Sequence, residues 1–390
     1  MNTKLLGSAL IISGTALGAG MLAIPMVLAQ FGLVYGTLLM ALIWFGTTYS
    51  ALLLLEATIK SDGGLSLNSI ARRALGKGGQ AVTNLLLYAL LICLLMAYIL
   101  GAADILSQML EEVGLFVTPI QSQTIFTLLT GAVVACGTNV VDKLNRLLFL
   151  VMIMSLVATL LALFPTLSLQ HLASIQSDDI SGLVKTSTVL FTSFGFMVVI
   201  PSLVSYNQEA TDKQLRNMVV LGSTIPLLCY LCWLLAVVGN LPNDEIKQFN
   251  NVSELMASFE RGAPWISSIL SLFTGLALLT SFFGVAMSLF HQNSDALKQN
   301  RGVTYIFTFI LPLMGAIFAA DKFLSVLAYA GIILVFLAVF IPTAMVYTLR
   351  TAAAFPERYT AGGGSIMLFF TLIFGAFLLV PQLPDLIPGF

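Results

Sequence analysis

Charge is what this chain has least of. Its 390 residues include 17 basic and 18 acidic ones, 9% in all, against roughly 25% in an ordinary soluble domain. Residues 5–55 contain no Asp, Glu, Lys or Arg, a length sufficient for two membrane crossings of about 20 residues each. Histidine and cysteine are scarce too. His171 and His291 have no partner at ligand spacing, and Cys229-x-x-Cys232 lacks the second pair of a zinc site, so no metal centre or cofactor is indicated. No nucleophile–base pair or carboxylate dyad lies within an apolar run, which disfavours a membrane-embedded enzyme. No basic patch points to nucleic acid, and no loop is long enough for a signalling domain.

What remains is overwhelmingly apolar: 58% hydrophobic residues and a mean hydropathy of +0.98. This composition predicts an all-α polytopic membrane protein forming a single domain over 1–390. Eleven apolar segments are legible, at about 5–29, 33–57, 81–109, 123–140, 146–165, 185–207, 214–239, 265–290, 303–319, 323–348 and 363–384. The first continues past any plausible cleavage site and is read as an uncleaved helix. With the N-terminus inside, every basic residue except Lys185, Lys247, Arg261 and Lys322 falls in a cytoplasmic loop. The positive-inside rule favours that orientation, which puts the C-terminus in the periplasm. The loop before the third segment holds a short amphipathic surface helix at 67–75. The loop at 240–264 opens on a turn and cap signal and is expected to carry another helix. The tail from Pro381 is read as irregular.

The first segment is the least like an ordinary membrane helix. Residues 13–25 read SGTALGAGMLAIP, with Gly14, Gly18 and Gly20 where long side chains would normally stand, and Pro25 at the end. Glycine and proline both weaken a helix interior, and non-helical backbone at membrane depth is tolerated only when buried in protein or lining a cavity. A glycine-lined packing face is the competing explanation. An offset of 176 lays Met21, Ile24 and Pro25 over Met197, Ile200 and Pro201 in the sixth segment. Five segments separate the two starts, so the second unit is inverted. Paired Gly/Pro-interrupted segments in inverted halves point to the binding site of a secondary transporter, and argue against a channel.

These stretches, together with 191–196 (FTSFGF), 201–206 (PSLVSY), 280–286 (TSFFGVA) and 329–331 (YAG), resemble the bacterial aromatic amino acid permeases of the hydroxy/aromatic amino acid permease family. The resemblance extends over essentially the whole chain. It implies the amino acid–polyamine–organocation superfamily and a LeuT-type 5+5 inverted repeat, at about 5–165 and 185–348. Helices 1 and 6 would be discontinuous, with an eleventh transmembrane helix at about 363–384. Proton symport of tyrosine, or of tryptophan or phenylalanine, across the bacterial inner membrane is the implied activity. A monomer with an amino acid substrate and lipid as its partners is expected. Another small neutral amino acid is the alternative substrate. One departure is Met197, where tyrosine-specific members have histidine.

On that fold, Thr15, Ala16, Gly18, Ala19, Gly20 and Met21 in span 1 and Thr192, Ser193 and Gly195 in span 6 would meet the substrate's charged ends. Helix N-termini suit its carboxylate and freed carbonyls its ammonium. Tyr98, Phe191, Phe194, Phe196 and Phe282 would form an aromatic side-chain pocket. Ser13, Ala16, Ala277, Thr280 and Ser281 have the spacing of a sodium site built from hard oxygen ligands; hydroxyls bonded to their own helix are the alternative. Protons are favoured over sodium as the coupling ion. Glu56 and Asp104, the acids inside apolar segments, both lie near segment ends and are read as candidate gates rather than midplane relays.

Overall fold

The computed structural model describes residues 3–173, 179–241, 251–260, 264–297, 301–319, 322–351 and 359–386, and among them every regular element is helical. Span 1 is two helices, α1 (Thr3–Ala16) and α2 (Gly20–Leu28), followed by α3 (Gly32–Lys60). Next come α4 (Leu67–Glu112), α5 (Pro119–Ala135), α6 (Thr138–Leu163) and the short α7 (Leu169–Ala173) and α8 (Ile180–Lys185). The sixth span is also two pieces, α9 (Ser187–Ser193) and α10 (Ile200–Tyr206), separated by a bend and a 3-10 turn at Met197–Val199. Then follow α11 (Asp212–Asn240), α12 (Val252–Glu260), α13 (Pro264–Leu297) and α14 (Arg301–Ala319). Next are α15 (Phe323–Val335), α16 (Ile341–Thr351) and α17 (Gly364–Leu379), and a 3-10 turn at Val380–Gln382 and a helical turn at Leu383–Leu386 follow, so the tail expected to be irregular from Pro381 is helical through its described residues.

Nine helical stretches among the described residues are long and apolar enough to cross a membrane. The first expected segment does not form a stretch of its own, because α1 has 14 residues and α2 runs on with α3 as Gly20–Lys60, and α5 falls short with 17 residues. The sixth span, Ile180–Tyr206, is the most enclosed of the nine, 72% buried, while Thr138–Thr166 is 28% buried. The broken span therefore sits at the centre, and α6 turns Leu147, Leu150, Met154 and Leu161 outward, as a lipid-facing helix does.

The expected surface helix at 67–75 is present. Ser66 caps it by accepting from the Ser69 N–H at 3.3 Å, and Gly76, at φ 75°, turns the chain before the long part of α4. Arg73 pairs with Asp62 across the connecting loop. The predicted helix within 240–264 is α12; its preceding turn, within 242–250, and the last four residues of the tail lie outside the described residues.

Two ends of the bundle are distinguishable. One gathers Lys4, Lys60, Arg146 and Arg350; Lys4 lies over the Tyr206 ring, 4.6 Å from its centroid. The other end carries Asp104 and α12, whose Ser253 bonds Asp104.

Candidate functional site

The interruption in span 1 falls at residues 17–19, well before Pro25, which sits inside an unbroken α2. The proline is therefore not what opens the helix. Close approach of neighbouring chain accounts for the break. A Cβ on Gly18 would collide with Ser281 Oγ of α13, and one on Gly20 would stand 2.7 Å from the Cα of Ser193. Pro201 likewise causes no break, because it occupies the first turn of α10, where a missing N–H is harmless.

The two interruptions touch. Ser193 Oγ donates to Gly20 O at 2.8 Å, and the Ala19 N–H donates to Ser281 Oγ at 3.1 Å. The Tyr230 hydroxyl of α11, fully buried, lies 2.6 Å from Ala16 O and 2.7 Å from Ser193 O, at the C-terminal ends of α1 and α9. Helix α2 begins at N-cap Ala19 without a side-chain cap of its own; the Met21 and Leu22 N–H groups turn back to Gly18 O at 3.0 Å and Ala19 O at 3.2 Å.

This junction forms the blind end of a cavity of about 1290 Å³ that runs toward the Lys4 end of the bundle. Near the junction its wall is small and hydroxylated: Gly18, Gly20, Ser193, Thr192, Thr280 and Ser281. Toward the mouth it turns to amides, Asn84, Asn145 and Gln292. The Asn145 and Gln292 carbonyl oxygens are themselves buried and without a hydrogen-bond partner. Asp142 and Arg146 are the charged residues on the wall, and they pair with each other at 2.8 Å. Leucines of α4, among them Leu87, Leu91 and Leu94, with Phe149 and Val285, fill much of the rest, so the surface left to a ligand is largely apolar and uncharged, with hydroxyls and helix-end backbone set into it.

Of the residues singled out from the sequence, Thr15, Ala16, Gly18, Ala19, Gly20, Tyr98, Thr192, Ser193 and Gly195 line this cavity. Met21, Phe191, Phe194, Phe196 and Phe282 do not; each is at most 1% exposed. The rings pack between helices instead. Phe191 meets Phe374 edge-on at 5.9 Å, Phe194 meets Tyr230 at 5.0 Å, and Phe282 meets Phe126 at 5.1 Å. A phenylalanine beside a helix break is worth most when all its surface is enclosed, and here it anchors the break. The phenylalanine on the wall is Phe149, whose ring lies over Gly14, 2.9 Å from where a Cβ would be.

The five candidate cation ligands are only partly gathered. Ala16, Thr280 and Ser281 line the cavity, whereas Ser13 and Ala277 do not. The Thr280 hydroxyl donates within its own helix, to Leu276 O at 2.8 Å, and abuts the thioether of Met152 at 3.7 Å. Ser13 Oγ turns toward Gly222 O at 2.9 Å, and Ser13 O accepts from the Leu17 N–H. Among the described residues no group of three or more His, Cys, Asp or Glu is arranged to hold a metal ion.

The two acids lie off the cavity. Glu56 is fully buried and bound by Arg350 Nε at 2.8 Å and Nη2 at 2.6 Å, Lys60 Nζ at 3.0 Å and the Ala361 N–H at 2.8 Å. It ties α3 to α16 and to the approach of α17. The nearby Tyr359 hydroxyl is pushed up to about 12, mainly by burial, and stays neutral. Asp104 accepts from the Ser253 N–H at 2.8 Å and its hydroxyl at 2.7 Å, fixing the first turn of α12. Sequence reasoning passed over Tyr230 and the cavity amides. A hydroxyl at mid-span was the available signal for Tyr230, since a polar group there needs a partner.

Residues 1–382 match the profile of the tryptophan/tyrosine permease family. "Glutamine transporter 2" of Aliivibrio fischeri is 57% identical over 98% of this chain and 100% of its own length. "Tyrosine-specific transport system 1" of Haemophilus influenzae is 34% identical over 98% and 96%, and a "Tryptophan-specific transport protein" of the same organism 29% over 97% and 96%. These relatives are named as transport proteins, not enzymes. With its apolar helices crossing the membrane many times and a profile match over nearly its full length, the chain belongs to the tryptophan/tyrosine permease family of amino acid transport proteins.

Proposed function

We propose that this permease is a secondary active importer of a neutral, polar amino acid, with glutamine as the favoured substrate, working by alternating access in the bacterial inner membrane. The observation that carries the reading is the meeting of two helix interruptions, at Gly20 and Ser193, on one wall of a deep cavity. Counting α1–α2 and α5 as crossings gives eleven spans, in a five-plus-five inverted repeat with α17 outside it. With the Lys4 end cytoplasmic, the cavity faces inward. The α2 terminus takes the substrate carboxylate, the carbonyls of Ala16 and Ser193 take its ammonium, and the protein acts as a monomer.

Glutamine is favoured because Phe191, Phe194, Phe196 and Phe282 are enclosed in the core, and the largely apolar wall carries hydroxyls at Thr192, Ser193, Thr280 and Ser281 and amides at Asn84, Asn145 and Gln292. The name of the 57% identical relative agrees. Tyrosine is the second reading, supported by Tyr98 on the wall and two tyrosine-specific relatives at 34% and 32% identity. Protons are the proposed coupling ion, because Ser13 and Ala277 lie off the cavity wall and the five candidate sodium ligands are not gathered on one surface.

Uptake into proteoliposomes tests this. Labelled glutamine, tyrosine, tryptophan and serine are offered under separately imposed proton and sodium gradients. Glutamine should accumulate under the proton gradient and be released by a protonophore. Accumulation of tyrosine alone would favour the second reading, sodium dependence would overturn the proton assignment, and failure of every amino acid would end the transport proposal.

A further inference from the structure

Tyr230 sits where one proton has to serve two oxygens. Its single O–H can point at Ala16 O, 2.6 Å away, or at Ser193 O, 2.7 Å away, but not at both in full strength. In either orientation the other contact sets lone pair against lone pair at hydrogen-bond distance, in a site fully closed to solvent on the tyrosine side. Water cannot relieve that contact from behind, since the ring is enclosed and Phe194 packs on it edge-on. Both carbonyls, however, belong to residues that line the cavity, whereas Tyr230 itself does not. Tyr230 can therefore give its proton to only one of the two carbonyls at a time, and the other is left to a donor arriving from the cavity side.

We infer that Tyr230 is a positioning residue for recognition of the substrate's α-ammonium, an inference that rests on the transport reading above. Its hydroxyl tethers the C-terminal ends of α1 and α9 so that Ala16 O and Ser193 O lie within reach of one ammonium. Both oxygens lie within 2.7 Å of the same hydroxyl oxygen, which can turn its proton to either, so the two helix ends are held side by side. An ammonium has three N–H donors and completes the hydrogen count: one carbonyl keeps the tyrosine proton and the other takes an ammonium proton. A ligand without an amino group cannot do this. Discrimination for the α-amino group thus depends on a residue outside the cavity wall.

The test compares glutamine with 4-carbamoylbutanoate, the same molecule without its amino group, as competitors for uptake in proteoliposomes of wild type and Tyr230→Phe. The variant should raise KM for glutamine about tenfold, the scale of one hydrogen bond to a charged group. Maximal rate should change less, and inhibition by the amine-free analogue should be unaltered, so the preference for the amine shrinks about tenfold. Phe194→Leu removes the ring against Tyr230 but not the hydroxyl, and should leave that preference intact. An unchanged preference in Tyr230→Phe, an equal weakening of both ligands, or an equal effect of Phe194→Leu overturns the inference. If Tyr230→Phe does not reach the membrane, 3-fluorotyrosine at position 230 keeps the ring and alters the hydroxyl; the preference should shift, and a constant one overturns the inference. Should wild type carry tyrosine instead, the pair becomes tyrosine and 3-(4-hydroxyphenyl)propanoate. Wild type that transports no amino acid at all removes the transport reading itself, which is a separate outcome.

Discussion

The two interruptions are opened by opposite means. In span 1, residues 17–19 part because side chains are missing: Gly18 admits Ser281 and Gly20 admits the backbone of Ser193, leaving main chain on the cavity wall. In span 6, residues 194–196 part while two large side chains, Phe194 and Phe196, are driven fully into the core. One break exposes backbone and the other fixes position. A binding surface made of main-chain groups needs both, since a hole lined by peptide dipoles is useful only if neighbouring helices hold it to a fraction of an ångström.

That division is open to direct attack. The largest effect is expected from Gly20→Leu, whose side chain would have to enter the space of the Ser193 backbone. Uptake should fall below about 5% of wild type, since overpacking against main chain cannot be relieved by a rotamer change. Quantitative blotting of the membrane fraction checks that the protein is still made, and normal uptake would return residues 13–25 to the status of a packing face. Phe194→Ala should do the reverse. It empties a core site and costs about 3 kcal/mol of stability, seen as a lower unfolding temperature in detergent, with KM within about threefold of wild type. A large rise in KM with stability intact would put Phe194 in the substrate pocket after all. Ser281→Ala is milder: the Ala19 N–H loses its acceptor, at a cost of about 1 kcal/mol. It should also partly rescue Gly18→Ala, because the atom that the new methyl would strike is gone. Additive losses in the double variant would separate the two positions.

Much of the architecture was legible because it follows from counting. The apolar runs, the charge-free stretch 5–55 and the glycine-rich part of the first segment are one-dimensional signals, and the helices follow them. The short surface helix ending at Gly76 was readable for the same reason. Direction was not legible. The periodicity around Phe191, Phe194 and Phe196 says that three rings flank a break, but enclosure by Phe374 and Tyr230 depends on helices about 180 and 40 residues away in sequence. Proline misled for a related reason: Pro25 and Pro201 occupy helix-compatible positions beyond the breaks, and the break in span 1 goes with the close approach of Ser281 and Ser193. Tyr230 was passed over because its meaning lies in two carbonyls, and backbone oxygens leave no trace in residue identity. The Met197 departure was a visible hint that an aromatic substrate should not be assumed.

The same contrast, between groups that form a surface and groups that hold it, runs through the buried Glu56 and the half-buried Asp104. Glu56 has donors on three chain segments and behaves as a staple for α3, α16 and the approach to α17. Asp104 reaches from α4 to the first turn of α12, satisfying a backbone donor that the helix cannot satisfy itself. Helix α12 lies across the closed end of the bundle with Val252, Leu255 and Met256 buried, and the cavity wall does not extend to it. If this end must open for substrate to enter, Asp104 is a catch that has to release, whereas Glu56 has no such need. Asp104→Asn keeps the shape of the side chain but exchanges charged hydrogen bonds for neutral ones, a difference of about 1 kcal/mol. Amide hydrogen exchange across 251–260 should then accelerate about fivefold, while exchange in α3 and α16 stays as it was. Equal acceleration at both ends would mean that Asp104 supports the whole bundle, and no change would leave it an interfacial residue with no hold on α12.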